Sequence, residues 1–431
     1  MATTDTPTPS PQPLATGHAR PDVLIVGAGP AGLSLAASLA QAGMQATVLE
    51  LQPASVLAAP PPDGREIALT HPSVATLQRL GSWQRLAAHE VGLLREAQVH
   101  DGPVGRHGAM QLHAGGSGVD HLGWIVPNHA LRRTAYEVAA QQPGVRIVTE
   151  ARVTRVAVTP AHAELEYTDA RQGGQGTERL QAPLLVAADS RFSATRRQLG
   201  IGAAMHDFGR TVIVCRLRHE LPHHEAGHEC FGYEQTLAIL PLPDDPIDGT
   251  PMCSAVVTTG AAQAQQLMAL PPEEYAARVQ AQFQTRLGAM RLVGERHAYP
   301  LVAVYAHRFA GPRCALLGDA AVGMHPVTAH GYNLGLAGVE GLTRAVAGAW
   351  ARGADIGAAS VLAPYAREHH RHAWPLYQGT NAIVRLYTDD RPLPRLLRQA
   401  VLAGSNRLPP LKGLIVSQLT GRRPAWPTAA P

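Results

Sequence analysis

DVLIVGAGPAGLSLAASLAQAGMQATVLE, residues 22–50, changes its apolar spacing twice in 29 positions. Asp22–Val26 is a short apolar run of the kind buried in a parallel strand. Gly27, Gly29 and Gly32 follow at once, with Pro30 and Ala31 between them, and lead a helix-like stretch to Ala42. Gly43 suits the C-terminal cap, and Ala46–Glu50 predicts the next strand. The unit is strand–helix–strand with its glycines at the first turn. Gly27 permits the tight turn, Gly29 lets the backbone approach a pyrophosphate, and Gly32 lets helix and strand pack closely. The helix start offers free N–H groups and partial positive charge to phosphates. Glu50, 23 residues after Gly27, can accept hydrogen bonds from both hydroxyls of an adenosine ribose and disfavours a 2′-phosphate.

GDAAVGMHPVTAHGYNLG, residues 318–335, makes a second contact of the same kind nearly 300 residues downstream. Arg313–Leu317 predicts another buried strand, and Asp319 just past it can bind sugar-alcohol hydroxyls such as those of a ribityl chain. Pro326 lies in the following loop, and Gly331, Asn333 and Leu334 open a helix predicted to reach about Ala349. Its N–H groups suit negative charge developing on a reduced flavin. Each motif alone has a plain reading: a glycine turn without ligand, or a strand–turn–helix capped by Asp. Together they point to one long cofactor bound along its length, with FAD the leading candidate.

At 431 residues and 45% hydrophobic, the chain can bury a large core in two or three lobes. A net charge of +4 is too small to argue for nucleic acid. From Arg385 onward, eight Lys/Arg face only Asp389 and Asp390, so this tail carries +6. Its segments Pro394–Leu402 and Leu411–Leu419 are apolar at helical spacing. They predict either peripheral contact with an anionic lipid surface or a helix pair packed on the core. Cys215, Cys230, Cys253 and Cys314 form no CxxC pair and read as buried, reduced thiols of a cytoplasmic protein. Residues 1–20 read as a disordered leader. Val23–Leu49 carries no charge, but Pro30, Gln41, Gln45 and its glycines argue against a membrane span. His224 and His228 stand at i, i+4, yet Pro222 and a predicted turn argue against a helical metal site, and no metal is expected. His369, His370 and His372 read as a solvated helix face.

Further segments carry a family likeness. Arg65-Glu-Ile-Ala-Leu-Thr is followed by Leu80-Gly-Ser-Trp83, and Trp124-Ile-Val-Pro-Asn128 by Leu131. Leu221-Pro-His223-His224 runs through Ala226, Glu229 and Phe231 to Leu240-Pro-Leu242, and Tyr299-Pro-Leu301 precedes the second glycine motif. In these segments, from about Asp22 to Gly421, the chain resembles the flavin-dependent aromatic hydroxylases of the p-hydroxybenzoate hydroxylase fold. It is most similar to their ubiquinone-biosynthesis branch, the UbiH/UbiF group, and there to the broad-specificity 5-demethoxyubiquinol-hydroxylase-like members. Two departures stand out. Val322 replaces a histidine that many members carry, and Ala188-Asp189-Ser190, followed by Ser193 and Arg196, has Ser where the family has Gly.

The resemblance implies an α/β (α+β) fold, a Rossmann-like FAD-binding domain interleaved with an antiparallel-sheet substrate domain. The expected parts are an FAD-binding region over 21–200, with a piece of the substrate lobe inserted near 75–125, and a substrate sheet over 201–305. A second FAD-binding part over 306–350 and a C-terminal helical segment over 351–431 complete it. The apolar runs Thr211–Leu217, Thr236–Leu242 and Cys253–Thr258 suit such a sheet. Cofactor contacts implied are Gly27, Gly29, Pro30, Ala31, Gly32, Glu50, Arg65, Asn128, Asp189, Arg196, Asp319, Pro326, Gly331, Asn333 and Leu334. The implied chemistry is NAD(P)H reduction of FAD, O2 addition as a C4a-hydroperoxide, and hydroxylation of a prenylated phenol in ubiquinone biosynthesis. No catalytic base is named; His325 and His330 flank the flavin loop and read as loop-structuring. Other ubiquinone-biosynthesis proteins are expected partners, with peripheral placement at the inner membrane surface. The rivals are a monooxygenase of a soluble phenol or secondary metabolite, an isoprenoid reductase, and a non-enzymatic redox-sensing or NAD-binding module.

Overall fold

A computed structural model describes residues 20–102, 104, 109–114, 118–169, 176–232, 235–324, 331–388 and 409–421. Residues 1–19, His325, Pro326, His330 and Asp389–Arg407 of the basic tail lie outside them.

Strands β1 (Val23–Val26) and β2 (Ala46–Leu49) flank the glycine-loop helix Pro30–Gln41. With β8 (Val145–Val148), β12 (Leu184–Ala187), β18 (Ala310–Gly311) and β19 (Cys314–Leu316) they form a sheet ordered β18-β19-β12-β1-β2-β8. Every pairing in it is parallel except β18 with β19. All four residues of β1, β2 and β12 are buried, as a strand covered on both faces requires. The helices Pro30–Gln41 and Gly331–Trp350 pack over it through Leu33, Leu39, Val339, Leu342 and Val346. The chain separation of β1 and β19 is thus closed in space by one sheet.

A second, eight-stranded sheet is ordered β20-β17-β13-β16-β15-β14-β5-β6. Its members are β5 (Glu96–Asp101), β6 (Met110–His113), β13 (Ala203–His219), β14 (Ala226–Phe231), β15 (Gln235–Pro241), β16 (Met252–Gly260), β17 (Met290–Ala306) and β20 (Val322–Gly323). All pairings are antiparallel except β5 with β14. The three apolar runs read from the sequence sit in β13, β15 and β16, which are adjacent. One face, bearing Ile213, Leu237, Ile239 and Val257, is covered by the helices Ala261–Ala269 and Pro272–Gln282. The other face turns toward the small sheet formed by β3 (Glu66–Leu69), β7 (Gly123–Pro127) and β4 (Gly92–Leu94). Ala68, Leu94 and Ile125 of that sheet share an apolar cluster with Met110, Phe231 and Met252. A three-stranded antiparallel meander of β9 (Ala151–Val158), β10 (Ala163–Asp169) and β11 (Thr177–Ala182) completes the strands.

Packing changes one expectation and favours one of the two readings of the tail for Pro409–Thr420. His369 is buried at 5% exposure and stacks on Tyr365 at 5.6 Å. The helix Ala359–Thr388 repeats every 3.6 residues, so His369 shares the inward face with Tyr365 and only His370 and His372 stay exposed. The helix Pro409–Thr420 sends Ile415, Val416 and Leu419 into the cluster of Met110 and Leu112, so these apolar residues serve the core. All four cysteines are buried and unpaired. No helix among the described residues is long and apolar enough to cross a membrane.

Candidate cofactor and substrate site

The loops after β1, β2, β12 and β19 leave the same edge of the parallel sheet. Gly27 N–H donates to the Leu49 carbonyl, Ala188 N–H to Val26, and Leu317 N–H to Ala187, each at 2.8 Å. Gly27 has φ +107°, and a Cβ there would stand 2.6 Å from the Ala188 carbonyl oxygen. At Gly32 a Cβ would lie 2.2 Å from the Gly27 carbonyl oxygen. Any side chain at either position would push the loop apart. At Gly29, by contrast, a Cβ would meet nothing within 4 Å. Gly29 caps the helix without a side-chain hydrogen bond, Pro30 starts it, and its first turn holds no acidic residue. A polarised helix start therefore faces open space, a cradle that fits a pyrophosphate.

Glu50 is held toward this loop. One carboxylate oxygen accepts from the Ala28 N–H at 2.8 Å and the other from the Gln52 N–H at 2.9 Å. Asp319 stands three strands away along the same edge, roughly 14 Å at ordinary inter-strand spacing. The two motifs converge on Ala31. A Cβ on Gly318 would touch the Ala31 methyl at 3.3 Å, and one on Gly335 would touch it at 3.6 Å. The second helix begins at Gly331, where a Cβ would again meet nothing within 4 Å among the described residues. Asn333 anchors that start: its amide donates to the Ala68 carbonyl at 2.8 Å and its carbonyl accepts from the Thr70 N–H at 3.0 Å. Leu334 turns into the core beside Tyr305 and Met324. Glu50, the glycine loop, Asp319 and Gly331 thus lie along one end of the parallel sheet.

Arg65 and Asn128 meet through a residue that the motif reading passed over. Asp63 accepts from Arg65 at 2.5 Å and from the Asn128 amide at 2.7 Å. Burial pushes the Asp63 carboxyl up, but the charge and hydrogen bonds of Arg65, with that of Asn128, hold it below its ordinary value. Tyr299 closes the group, its hydroxyl donating to the Asp63 carbonyl at 2.8 Å while Arg65 stands 5.6 Å over its ring. The signal was present in Asp63-Gly64-Arg65, opposite charges two residues apart. Glu66 faces the other way. Arg216 of β13 donates to one of its oxygens at 2.8 Å, its side chain is 1% exposed, and Oε2 has no partner. Burial lifts this carboxyl to about 7 against the pull of Arg216.

Asp189 and Arg196 organise the loop after β12. Asp189 accepts from the Ser193 hydroxyl at 2.5 Å and from the Thr195 N–H at 3.3 Å. Arg196, 2% exposed, donates to the Ala320 carbonyl at 2.8 Å, beside Asp319. Ser190 is not in the left-handed region, so the side chain that replaces the family glycine carries no backbone strain there. The unforeseen member is Arg191. It pairs with Asp319 at 3.0 Å and donates to the Val302 carbonyl of β17 at 3.0 Å, joining the two large sheets. His224 lies in a turn at φ 52° and His228 on β14, so the pair does not share a helix face.

The model of the FAD binding domain family matches residues 20–380. The chain is 46% identical over 402 residues to the ubiquinone hydroxylase UbiM of Neisseria meningitidis, covering 93% of this chain and 84% of that protein. It is 33% identical to the ubiquinone hydroxylase UbiL of Rhodospirillum rubrum, covering 93% and 89%. Among solved structures, the p-nitrophenol 4-monooxygenase PnpA of Pseudomonas putida superposes with a TM-score of 0.73 at 19% identity, covering 94% and 99% of the two chains. That likeness shows the p-hydroxybenzoate hydroxylase type of fold.

Proposed function

The chain belongs to the FAD-dependent ubiquinone hydroxylases, and from that membership we propose that it hydroxylates the ring of a prenylated phenol with O2 and NAD(P)H. FAD, when bound, supplies the redox and oxygen-transfer chemistry; the protein supplies binding, orientation and water exclusion. The observation that carries the reading is the close approach of Gly318 and Gly335 to Ala31, between Glu50 and Asp319. In this reading Glu50 receives the ribose hydroxyls, the Gly27–Gly32 loop cradles the pyrophosphate, and Asp319 holds the ribityl chain. Arg65, Asn128, Gly331 and Asn333 frame the ring end, and Asp189 and Arg196 shape the loop beneath. The Ala68, Ile125, Phe231 and Met252 surface keeps the reacting ring dry.

Anaerobic reduction of the purified flavoprotein by NADH or NADPH, followed by O2 and prenylated phenols with mass measurement, tests it. A product heavier by one oxygen is expected. O2 consumption that stays independent of every phenol, including soluble ones, would reject it. Contact of the Arg385–Pro431 segment with anionic lipid extends the proposal, supported by its +6 charge and by the apolarity of polyprenyl substrates. Flotation with anionic liposomes should weaken when that segment is removed.

A further inference from the structure

Glu229 occupies an unusual place on β14. Its strand neighbours pair in register with β15 and β5, which sets Ala238 directly on one side of Glu229 and Val99 on the other. Continuing across the sheet, Ala238 pairs with Val256 and Val256 with Val214. Cross-strand partners share a face, so Glu229 stands in a row whose other members are Val99, Ala238, Val256 and Val214. Along its own strand, alternation places Gly227 and Phe231 on the same face.

That face is the one turned toward the cofactor-binding part. A Cβ on Gly64, just before β3, would meet the Val214 methyl at 2.9 Å, and one on Gly227 would meet the Leu94 methyl at 3.0 Å. Phe231 and Val99 pack with Ala68, Leu94 and Ile125. Ala68 is also the residue whose carbonyl receives the Asn333 amide at the opening of the Gly331–Trp350 helix. The cluster containing the neighbours of Glu229 therefore reaches the opening of that helix.

Among the described residues, no ion pair or hydrogen bond accounts for a carboxyl here. The side chain retains some accessible surface, yet it is enclosed so deeply that burial alone lifts the carboxyl to about 8. Its place is set by the sheet: it projects from the face that packs against β3, β7 and β4. No charged neighbour contributes to that rise, and no described side chain or backbone group is recorded as hydrogen-bonded to its carboxyl. An unpartnered polar group amid apolar neighbours destabilises a fold, and an apolar side chain of similar volume would pack better.

We propose that Glu229 is a substrate-positioning residue whose carboxyl exchanges a hydrogen bond with the ring hydroxyl of a phenol bound against the apolar cluster of Ala68, Ile125, Phe231 and Met252. The inference rests on the hydroxylase reading above and adds to it the group that recognises the ring oxygen. A protonated carboxyl both donates and accepts, so it meets a phenol without setting a bare charge in an apolar site. The ring is then fixed by its oxygen while the apolar wall leaves its plane free to face the flavin.

The test compares FAD-loaded wild type with Glu229→Leu and Glu229→Gln. The probes are 2-geranylphenol and its methyl ether, which has no hydroxyl to donate. Binding is read from the perturbation of flavin absorbance, and product formed per NAD(P)H consumed is recorded with the phenol. Wild type is expected to prefer the phenol by about tenfold, the worth of one good hydrogen bond. Glu229→Gln should keep a several-fold preference. Glu229→Leu should bind both probes about equally and lose coupling, with FAD content intact and a thermal midpoint no lower than wild type. A purely structural carboxyl predicts the reverse: a lower midpoint and an unchanged preference. Retention of the phenol preference in an FAD-loaded Glu229→Leu protein overturns the proposal. Absence of any response in wild type to either probe overturns the prenylphenol reading and this inference with it. Should Leu prevent FAD loading, Glu229→Met carries the same comparison.

Discussion

At the edge of the parallel sheet, Glu50 accepts two backbone N–H groups and Asp319 is paired with Arg191. On the inner face of the antiparallel sheet, Glu229 has no partner among the described residues, and Glu66 of β3, which reaches that face, shares one oxygen with Arg216 and finds none for the other among them. The two regions are equally well built of buried strands, but they treat carboxyl groups in opposite ways. On the proposed reading, a group that meets the same nucleotide in the same pose is oriented by the backbone before the ligand arrives. On the same reading, a group that meets a substrate ring is left desolvated, with its hydrogen-bonding capacity in reserve. The first arrangement stabilises the protein by itself; the second costs stability that a ligand can recover.

The largest effect should come from the glycine loop. Gly32→Val places a side chain 2.2 Å from the Gly27 carbonyl oxygen, and FAD affinity should fall at least a hundredfold, roughly 3 kcal/mol. Bound flavin per mole of purified protein measures it, and full FAD content would break the claim that this loop is shaped by close packing. Glu50→Gln tests the pre-oriented carboxylate. Losing the charge while keeping the shape should weaken FAD by about tenfold, near 1.4 kcal/mol, read from the fluorescence of released cofactor.

The antiparallel side is probed by pH. Burial raises Glu66 to about 7 and Glu229 to about 8, from an ordinary 4.5. Between those values the folded protein keeps protons that the unfolded chain has released, so stability is greatest on the acid side and falls as pH rises from about 4.5 to 8. Urea midpoints of wild type should follow that slope, and Glu229→Gln should flatten its upper half. A slope unaltered by the substitution would remove the contrast between the two sheets. The smallest effect is expected at their junction. Arg191→Met leaves Asp319 without its cation, but Asp319 is 41% exposed, so FAD affinity should drop only a few-fold, about 1 kcal/mol or less. Titration of apoprotein with FAD would detect it.

Strand and helix were readable wherever local chemistry forces the pattern. Asp22–Val26 appears as β1, the helix after it ends at Gln41 with Gly43 in the left-handed region at φ 87°, and the helix from Gly331 runs to Trp350. Asp63 and Arg191 escaped notice because their roles depend on partners: Asp63 gathers Arg65, Asn128 and Tyr299, and Arg191 reaches Asp319 and Val302. His369 was misplaced for a related reason. Histidine flanked by charged residues reads as solvent-facing, and only the packing of Tyr365 and Phe309 shows that it is inside.

What the chain's letters alone determined are the two glycine-marked strand–turn–helix units that end at Glu50 and follow Asp319. Glycines at a turn and a carboxylate at a strand end are demanded by a ligand of fixed shape, so they recur at fixed spacing. What only the folded chain decided is which face of β13–β16 packs on the β3–β7–β4 sheet, and that Glu229 lies on it among apolar neighbours. Alternation tells which residues share a face, but not which face is covered by helices. That choice is made by contacts between segments more than a hundred residues apart, such as Ala68 with Phe231 and Met252.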